Sequence, residues 1–233
     1  MRKQLVLMVF LVASYKNLSA QSSENQLNFS YMLVGQLRVS DAWSIHADVQ
    51  EVNYEALGHF SQFITRIGMN YHLSDGSMFT AGAGYIRSVP FENDSNDLSS
   101  NELRLWQDAR LRNNFGRLRI SHRYRFEERW IKRQEDIRFA FRVRYLILFS
   151  IPLNHQEVQP GTWSLTGFDE VFVNVPALVL SLNRISGGLS YQLNQSASLQ
   201  VAYQYSTGNG DINQRIQTGL FWRPDFRKPD KTR

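Results

Sequence analysis

Leu118-Arg-Ile-Ser-His-Arg-Tyr-Arg-Phe126 alternates apolar and charged side chains almost one for one, and so does the sequence on either side of it: Glu102-Leu-Arg-Leu-Trp-Gln-Asp108 before and Ile137-Arg-Phe-Ala-Phe-Arg-Val-Arg-Tyr145 after. A period of two is the signature of β-strands, whose successive side chains point to opposite faces. One face collects Ile120, Tyr124, Phe139, Phe141 and Val143. The other collects Arg104, Asp108, Arg110 and Arg112, then Arg117, Arg119, Arg123, Arg125 and Glu127, then Arg138, Arg142 and Arg144. The cations are Arg with almost no Lys, and the guanidinium fork suits a packed, hydrogen-bonded interior better than an open surface. These strands are therefore expected to be apolar outside and charged inside.

The alternation extends in both directions. Leu27, Phe29, Tyr31, Leu33, Gly35, Leu37 and Val39 share one side of a long strand, which a turn at Ser40 and Asp41 separates from Trp43, Ile45, Ala47 and Val49. Thr65 to Leu73 and Phe79 to Tyr85 flank a Ser74-Asp75-Gly76 turn, and an Asn113-Asn114-Phe115-Gly116 turn is expected before Leu118. Trp163 to Asn174, Ile185 to Leu193, Leu199 to Tyr205 and Ile212 to Trp222 follow. About eleven strands of roughly ten residues result, the length that crosses a bilayer at a tilt. Single-chain bacterial barrels have even strand numbers, so the expectation is twelve strands, with ten next. The extra strand would lie at the N-terminus or within residues 146–161. Short turns are expected at one end of the barrel and longer polar loops at the other. Aromatic residues are expected in two girdles, with Trp43, Tyr71, Phe79, Phe149, Tyr191 and Trp222 toward the turns and Tyr85, Trp130, Phe139, Trp163 and Tyr205 toward the loops.

Residues 1–20 read as a cleaved secretory signal: Arg2 and Lys3, an apolar core from Leu5 to Ala13, then Ser19 and Ala20 before Gln21. The competing reading, an ordinary buried segment, does not account for that order. Removal of Arg2, Lys3 and Lys16 lowers the formal charge of +5 to +2, so the basic balance is no sign of a nucleic-acid partner. The 233 residues suit one domain, here 21–233 with a polar C-terminal tail. Mean hydropathy is −0.37, and beyond the signal no apolar run reaches the roughly 20 residues of a membrane helix. There is no cysteine for a disulfide framework, a thiolate nucleophile or a thiolate metal site.

Several stretches resemble, in order and spacing, a family of outer-membrane barrels known only as domain of unknown function 2490. They are Glu102 to Asp108, His122-Arg-Tyr-Arg-Phe-Glu-Glu-Arg-Trp130, Arg142-Val-Arg-Tyr145, Asp169-Glu-Val-Phe172, and Asn183-Arg184 followed by Gly188, Leu189 and Tyr191. The resemblance spans most of the mature chain and implies a barrel in the bacterial outer membrane, with outer-membrane lipid as its partner. It brings no activity and no catalytic residues.

Motifs for chemistry are sparse. His46, His59, His72, His122 and His155 form no pair at metal-ligand spacing on one strand face. Ser121 and His122 are adjacent in a strand, so they point apart and cannot act as a dyad. The segments 92–97 and 208–211 carry calcium-type oxygens, but Asn, Asp and Gly are also ordinary turn residues. No cofactor motif is present. The candidate site is the set of inward charges Arg104, Asp108, Arg110, Arg119, Arg123, Arg125, Glu127, Arg142, Arg144, Glu170 and Arg184, with Glu102 and Asp136 as further acids. Such a set can fill a lumen as an ion-pair network, or it can form a passage or pocket for anionic solutes or lipid phosphate. The reading is a non-enzymatic outer-membrane barrel, structural or a narrow channel. Its rivals are a lipid-acting barrel enzyme with Ser and His meeting at a rim, and a soluble secreted ligand-binding barrel.

Overall fold

A computed structural model describes residues 27–73, 76–90, 99–175, 177–208 and 211–227. The expected signal, the acidic loop 92–97 and residues 209 and 210 lie outside them. The described residues form one closed barrel of eleven strands: β1 (Leu27–Arg38), β2 (Trp43–Glu55), β3 (Gly58–His72), β4 (Met78–Ser88), β5 (Ser100–Phe115), β6 (Leu118–Arg133), β7 (Asp136–Pro152), β8 (Trp163–Val175), β9 (Val179–Gln192), β10 (Ala197–Gly208) and β11 (Asp211–Trp222).

Each strand runs antiparallel to the next, and the barrel closes where β1 meets β11 in parallel, Leu27 opposite Gln214 and Gly35 opposite Trp222. This closure corrects the expected twelve or ten strands. An up-and-down sheet that closes antiparallel needs an even number, whereas parallel closure takes an odd one. No additional strand hides in residues 146–161, because β7 continues to Pro152 and residues 153–162 connect it to β8. The parallel seam also puts the start of β1 and the end of β11 at opposite mouths. The first mouth holds the start of β1 and the connections after β2, β4, β6, β8 and β10. The second mouth holds the other connections and the segment Arg223–Arg227.

Two further expectations change. Long connections occur at both mouths, 89–99 at the first and 153–162 at the second, so there is no short-turn end. Trp163, the first residue of β8, therefore stands at the second mouth with Tyr191, their rings 4.8 Å apart, and not with Trp130 and Phe139 at the first. The turn expected at Asn113-Asn114-Phe115-Gly116 is shorter. Asn113 pairs with Ile120 and Phe115 with Leu118, leaving only Gly116 and Arg117 in the loop. Gly116 has φ +57, the positive value that a two-residue hairpin demands at its first position.

Facing follows the alternation. Ile67, Met69, Phe79, Leu103, Tyr124 and Val201 are among the large apolar residues exposed on the outer surface, Ile67 by 62%. His122 lies on that surface without any bulge in β6, which pairs in continuous register with β5 and β7. Its Nδ1 lies 2.9 Å from the Tyr145 hydroxyl, and beside them Asn183 Nδ2 donates to Asp169 Oδ1 at 2.6 Å. These outward polar groups are thus satisfied by one another.

The interior has a width problem. Eight strands leave a lumen that side chains just fill and sixteen leave a water channel, so eleven need long or bulky inward residues. Trp106 and Phe172, each 1% exposed, supply bulk. Several inward residues from β9 round to β2 are short and buried, among them Ser186, Ser198, Ala202, Ser206, Ser30 and Ser44. The Trp106 indole itself needs a niche, which Gly68 and Gly82 provide. A Cβ on Gly82 would lie 2.7 Å from Trp106 Cζ2 and 2.3 Å from the Ile67 carbonyl oxygen. Gly82→Ala is therefore expected to cost about 1 to 3 kcal/mol by overpacking, read as a lower unfolding temperature in detergent. Gly187→Ala, where a Cβ meets nothing within 4 Å, should leave that temperature unchanged.

Candidate functional site

β5, β6, β7 and β8 lie side by side with register pairs Asp108–Arg125, Arg125–Arg144, Trp106–Glu127, Glu127–Arg142 and Leu146–Glu170. Because inward residues on neighbouring strands are directly opposite, this register assembles one lattice. Glu127, with no exposed surface, is its centre. Its Oε1 accepts from Arg144 Nη1 at 2.8 Å and Arg104 Nη1 at 3.2 Å, and its Oε2 accepts from Arg142 Nε at 2.7 Å. Arg144 reaches on to Glu170, which also accepts from Arg123 at 2.6 Å. Arg104 reaches back to Glu102, which Arg129 grips with two bonds of 2.8 and 2.7 Å. Arg125 grips Asp108 in the same fork-on-carboxylate manner at 2.6 and 2.8 Å. Planar bidentate geometry of this kind is what Arg offers and Lys cannot.

Aromatic faces complete the lattice. Arg144, Arg184 and Arg142 lie over the Phe172 ring at 4.3, 4.7 and 5.1 Å, and Arg125 lies over Trp106 at 4.3 Å. Each such contact in a dry setting contributes on the order of 1 to 2 kcal/mol. A smaller group abuts it: Arg66 Nε and His46 both bond Asp48, and the His46 ring meets Trp106 edge-on at 5.8 Å. Neither Phe172 and Trp106 nor the Asp48 group stood out as site residues in the sequence. The signal for the aromatics was their phase, since Phe172 follows Glu170, and Trp106 lies between Arg104 and Asp108, at steps of two.

Not every candidate joins the lattice. Arg110 and Arg119 point inward nearer the second mouth and make no ion pair among the described residues. Arg184 has no carboxylate within ion-pair distance, and its buried Nε lacks a partner, as do the Nε atoms of Arg123 and Arg215. Asp136 lies exposed at the β6–β7 hairpin, away from the centre. The lattice therefore sets six ion-paired guanidiniums (Arg104, Arg123, Arg125, Arg129, Arg142, Arg144) against four carboxylates (Glu102, Asp108, Glu127, Glu170).

A serine and a histidine from different strands do meet. Ser44 Oγ is 2.7 Å from His72 Nε2. Yet Ser44 has no exposed surface and also accepts from Asn70 Nδ2 at 2.9 Å, so the hydroxyl is enclosed in a hydrogen-bond network and out of reach of a substrate. At the same mouth the segment after β11 is tied to β1: Arg38 N donates to the Pro224 carbonyl at 3.0 Å and Phe226 N to the Arg38 carbonyl at 2.9 Å. Arg227 bridges Asp41 and Asp225, each at 2.6 Å, and its guanidinium holds the Asp225 carboxyl down to about 2.

The family described as Protein of unknown function (DUF2490) matches residues 28–217, which run from β1 into β11 and include every lattice residue. The chain belongs to this family. No curated protein matches it. Among solved structures, a porin refined at 1.8 Å resolution is 15% identical with a TM-score of 0.33, and the match covers 74% of this chain and 56% of the porin's.

Removing one acid from such a lattice leaves buried guanidiniums uncompensated, which costs about 3 to 5 kcal/mol. Glu127→Gln, isosteric but neutral, should lower the unfolding temperature strongly in detergent, whereas Glu135→Gln at the exposed hairpin should not move it. Equal melting of the two variants would mean that the lattice does not stabilise the barrel.

Proposed function

We propose that the protein is a bacterial outer-membrane barrel without catalytic activity, exported by the signal in residues 1–20, with outer-membrane lipid around it and a lumen closed across its middle by the Arg–carboxylate lattice. One observation carries this reading: the closed sheet is inside out relative to a soluble barrel. Large apolar side chains face outward while Glu127, Arg125, Arg144, Asp108 and Glu170 are buried within. On β5 the outward series from Leu103 to Leu111 extends roughly 26 Å along the strand, or about 20 Å of membrane at a tilt near 40°. The aromatic pairs Trp43–Tyr71 and Trp163–Tyr191 near the second mouth and Trp130–Phe139 near the first suit two interfacial belts. The soluble-binder alternative would leave this band in water, where patches of such size mark contact surfaces. The lipid-hydrolysing alternative lacks an accessible nucleophile at the Ser44–His72 pair.

A second reading, a narrow anion passage, is favoured by the excess of guanidiniums over carboxylates within the lumen. Conductance separates the two. In planar bilayers the wild-type protein is expected to show no steady conductance, because Trp106, Glu127 and Phe172 fill the middle of the barrel. Anion-selective steps that change when Arg123 and Arg142 are neutralised would replace the closed reading by the channel.

Location has its own test. The protein should fractionate with the outer membrane and migrate differently on a denaturing gel before and after boiling. Phe141, stacked on Phe126 at 5.5 Å on the outer surface, probes lipid contact directly. Phe141→Arg should cost about 2 to 4 kcal/mol in bilayers if the site lies near the midplane. Recovery in the soluble periplasm with unchanged gel mobility would overturn the membrane reading.

A further inference from the structure

We propose that the second mouth of the barrel is a binding site for an anion carrying two phosphoryl groups, held by Arg110, Arg112, Arg119 and Arg223. The proposal is separate from the lattice and does not depend on whether the barrel conducts.

The four guanidiniums come from three parts of the chain. Arg110 and Arg112 lie on the inward face near the end of β5, Arg119 on the inward face at the start of β6, and Arg223 just after β11, on the other side of the opening. Their charges act on one another: Arg110 feels Asp108 first and then Arg125, Arg112 and Arg223, Arg112 feels Arg119, and Arg223 feels both Arg112 and Arg119. Partial desolvation and then those two neighbours hold Arg223 below its ordinary pKa.

What distinguishes this group from the lattice is the lack of counter-charge. Among the described residues none of the four makes an ion pair. The nearby acids are engaged elsewhere, Asp108 in the fork of Arg125 and Asp41 and Asp225 by Arg227. One acid does lie close by: Glu157 shares with Arg119, Asn114 and Ser150 a cavity of about 410 Å³ beneath the 153–162 connection. Of the four arginines Arg119 lines this cavity, and the other three stand outside it at the same mouth. Four like charges at one opening, where the aspartates are held by other guanidiniums and Glu157 is the acid left beside Arg119, form an unbalanced arrangement that an anion would relieve.

The choice of Arg and the charge count indicate the ligand. A phosphoryl monoester carries about −1.5 to −2 at neutral pH with three acceptor oxygens, so two such groups match four guanidiniums. The guanidinium fork binds phosphate in bidentate fashion. A monocarboxylate or a single phosphate would leave the site largely uncompensated. Two sources present this chemistry: a soluble diphosphate entering the mouth, and the phosphates of a glycolipid headgroup reaching over the rim.

The test uses the full-length folded protein in an uncharged maltoside detergent, titrated calorimetrically with inorganic pyrophosphate, with orthophosphate, and with a bis-phosphorylated glycolipid or its dephosphorylated form in mixed micelles. Pyrophosphate, the glycolipid or both should bind at least about ten-fold more tightly than the single-phosphate or dephosphorylated control, with R112Q/R119Q weakening that binding about ten-fold. R223Q, outside the strands, should weaken it without touching the barrel wall. E157Q should tighten it, a gain that misfolding cannot produce. Binding of pyrophosphate alone assigns a soluble ligand, and binding of the glycolipid alone assigns a headgroup; either supports the site. The proposal is overturned if neither probe binds, or if R223Q and R112Q/R119Q, with wild-type gel mobility, bind as the wild type does.

Discussion

A carboxylate with no exposed surface, Glu127, accepts hydrogen bonds from Arg104, Arg142 and Arg144 on three strands, and the rest of the interior is arranged around that contact. Buried ions are tolerated only when partners surround them and their remaining donors and acceptors are satisfied. The register of β5, β6, β7 and β8 supplies the partners by setting acids and guanidiniums opposite one another at steps of two, although Arg123 Nε and Arg125 Nη1 are left without a hydrogen bond. A slip of one residue would turn the lattice charges outward and the outward Leu, Tyr and Phe residues inward. The ion pairs thus specify the register as well as filling the space.

The eleven-strand closure gives the lattice its role. A lumen between the eight-stranded and sixteen-stranded limits calls for long inward side chains, and the Arg fork can find carboxylates on two neighbouring strands, as Arg144 does with Glu127 and Glu170. Phe172 and Trp106 serve as flat surfaces on which guanidiniums of like charge lie, so that Arg142, Arg144 and Arg184 can crowd one ring. Toward the second mouth Arg110, Arg112, Arg119 and Arg223 make no ion pair among the described residues, while Asp41 and Asp225 are held by Arg227. The same residue type thus forms the ion-paired lattice at mid-height and the group at the second mouth for which we propose an anion.

Much of this was legible in the sequence because a strand encodes facing in its parity. Leu118 to Phe126 and Ile137 to Tyr145 announce an apolar exterior and an Arg-rich interior, and the eleven strands can be counted along the chain. What misled was the rule that single-chain bacterial barrels have even strand numbers. It presupposes antiparallel closure, and whether the first and last strands meet in parallel is invisible to any local pattern. Trp163 was misplaced for a related reason: a long connection precedes it, and connection length does not reveal the mouth at which the connection lies.

The sequence by itself determined the class of fold, the facing of each strand and the kind of charge inside, since alternation and residue type are local properties. Only the tertiary structure decided which charges meet. That Arg104 answers both Glu102 and Glu127, that Arg110, Arg112, Arg119 and Arg223 share one mouth without an ion pair among the described residues, and that Ser44 lies against His72 but out of reach, all depend on strand register and on the parallel seam between β1 and β11. These bring together residues up to nearly the whole chain apart, and no spacing along the chain records them.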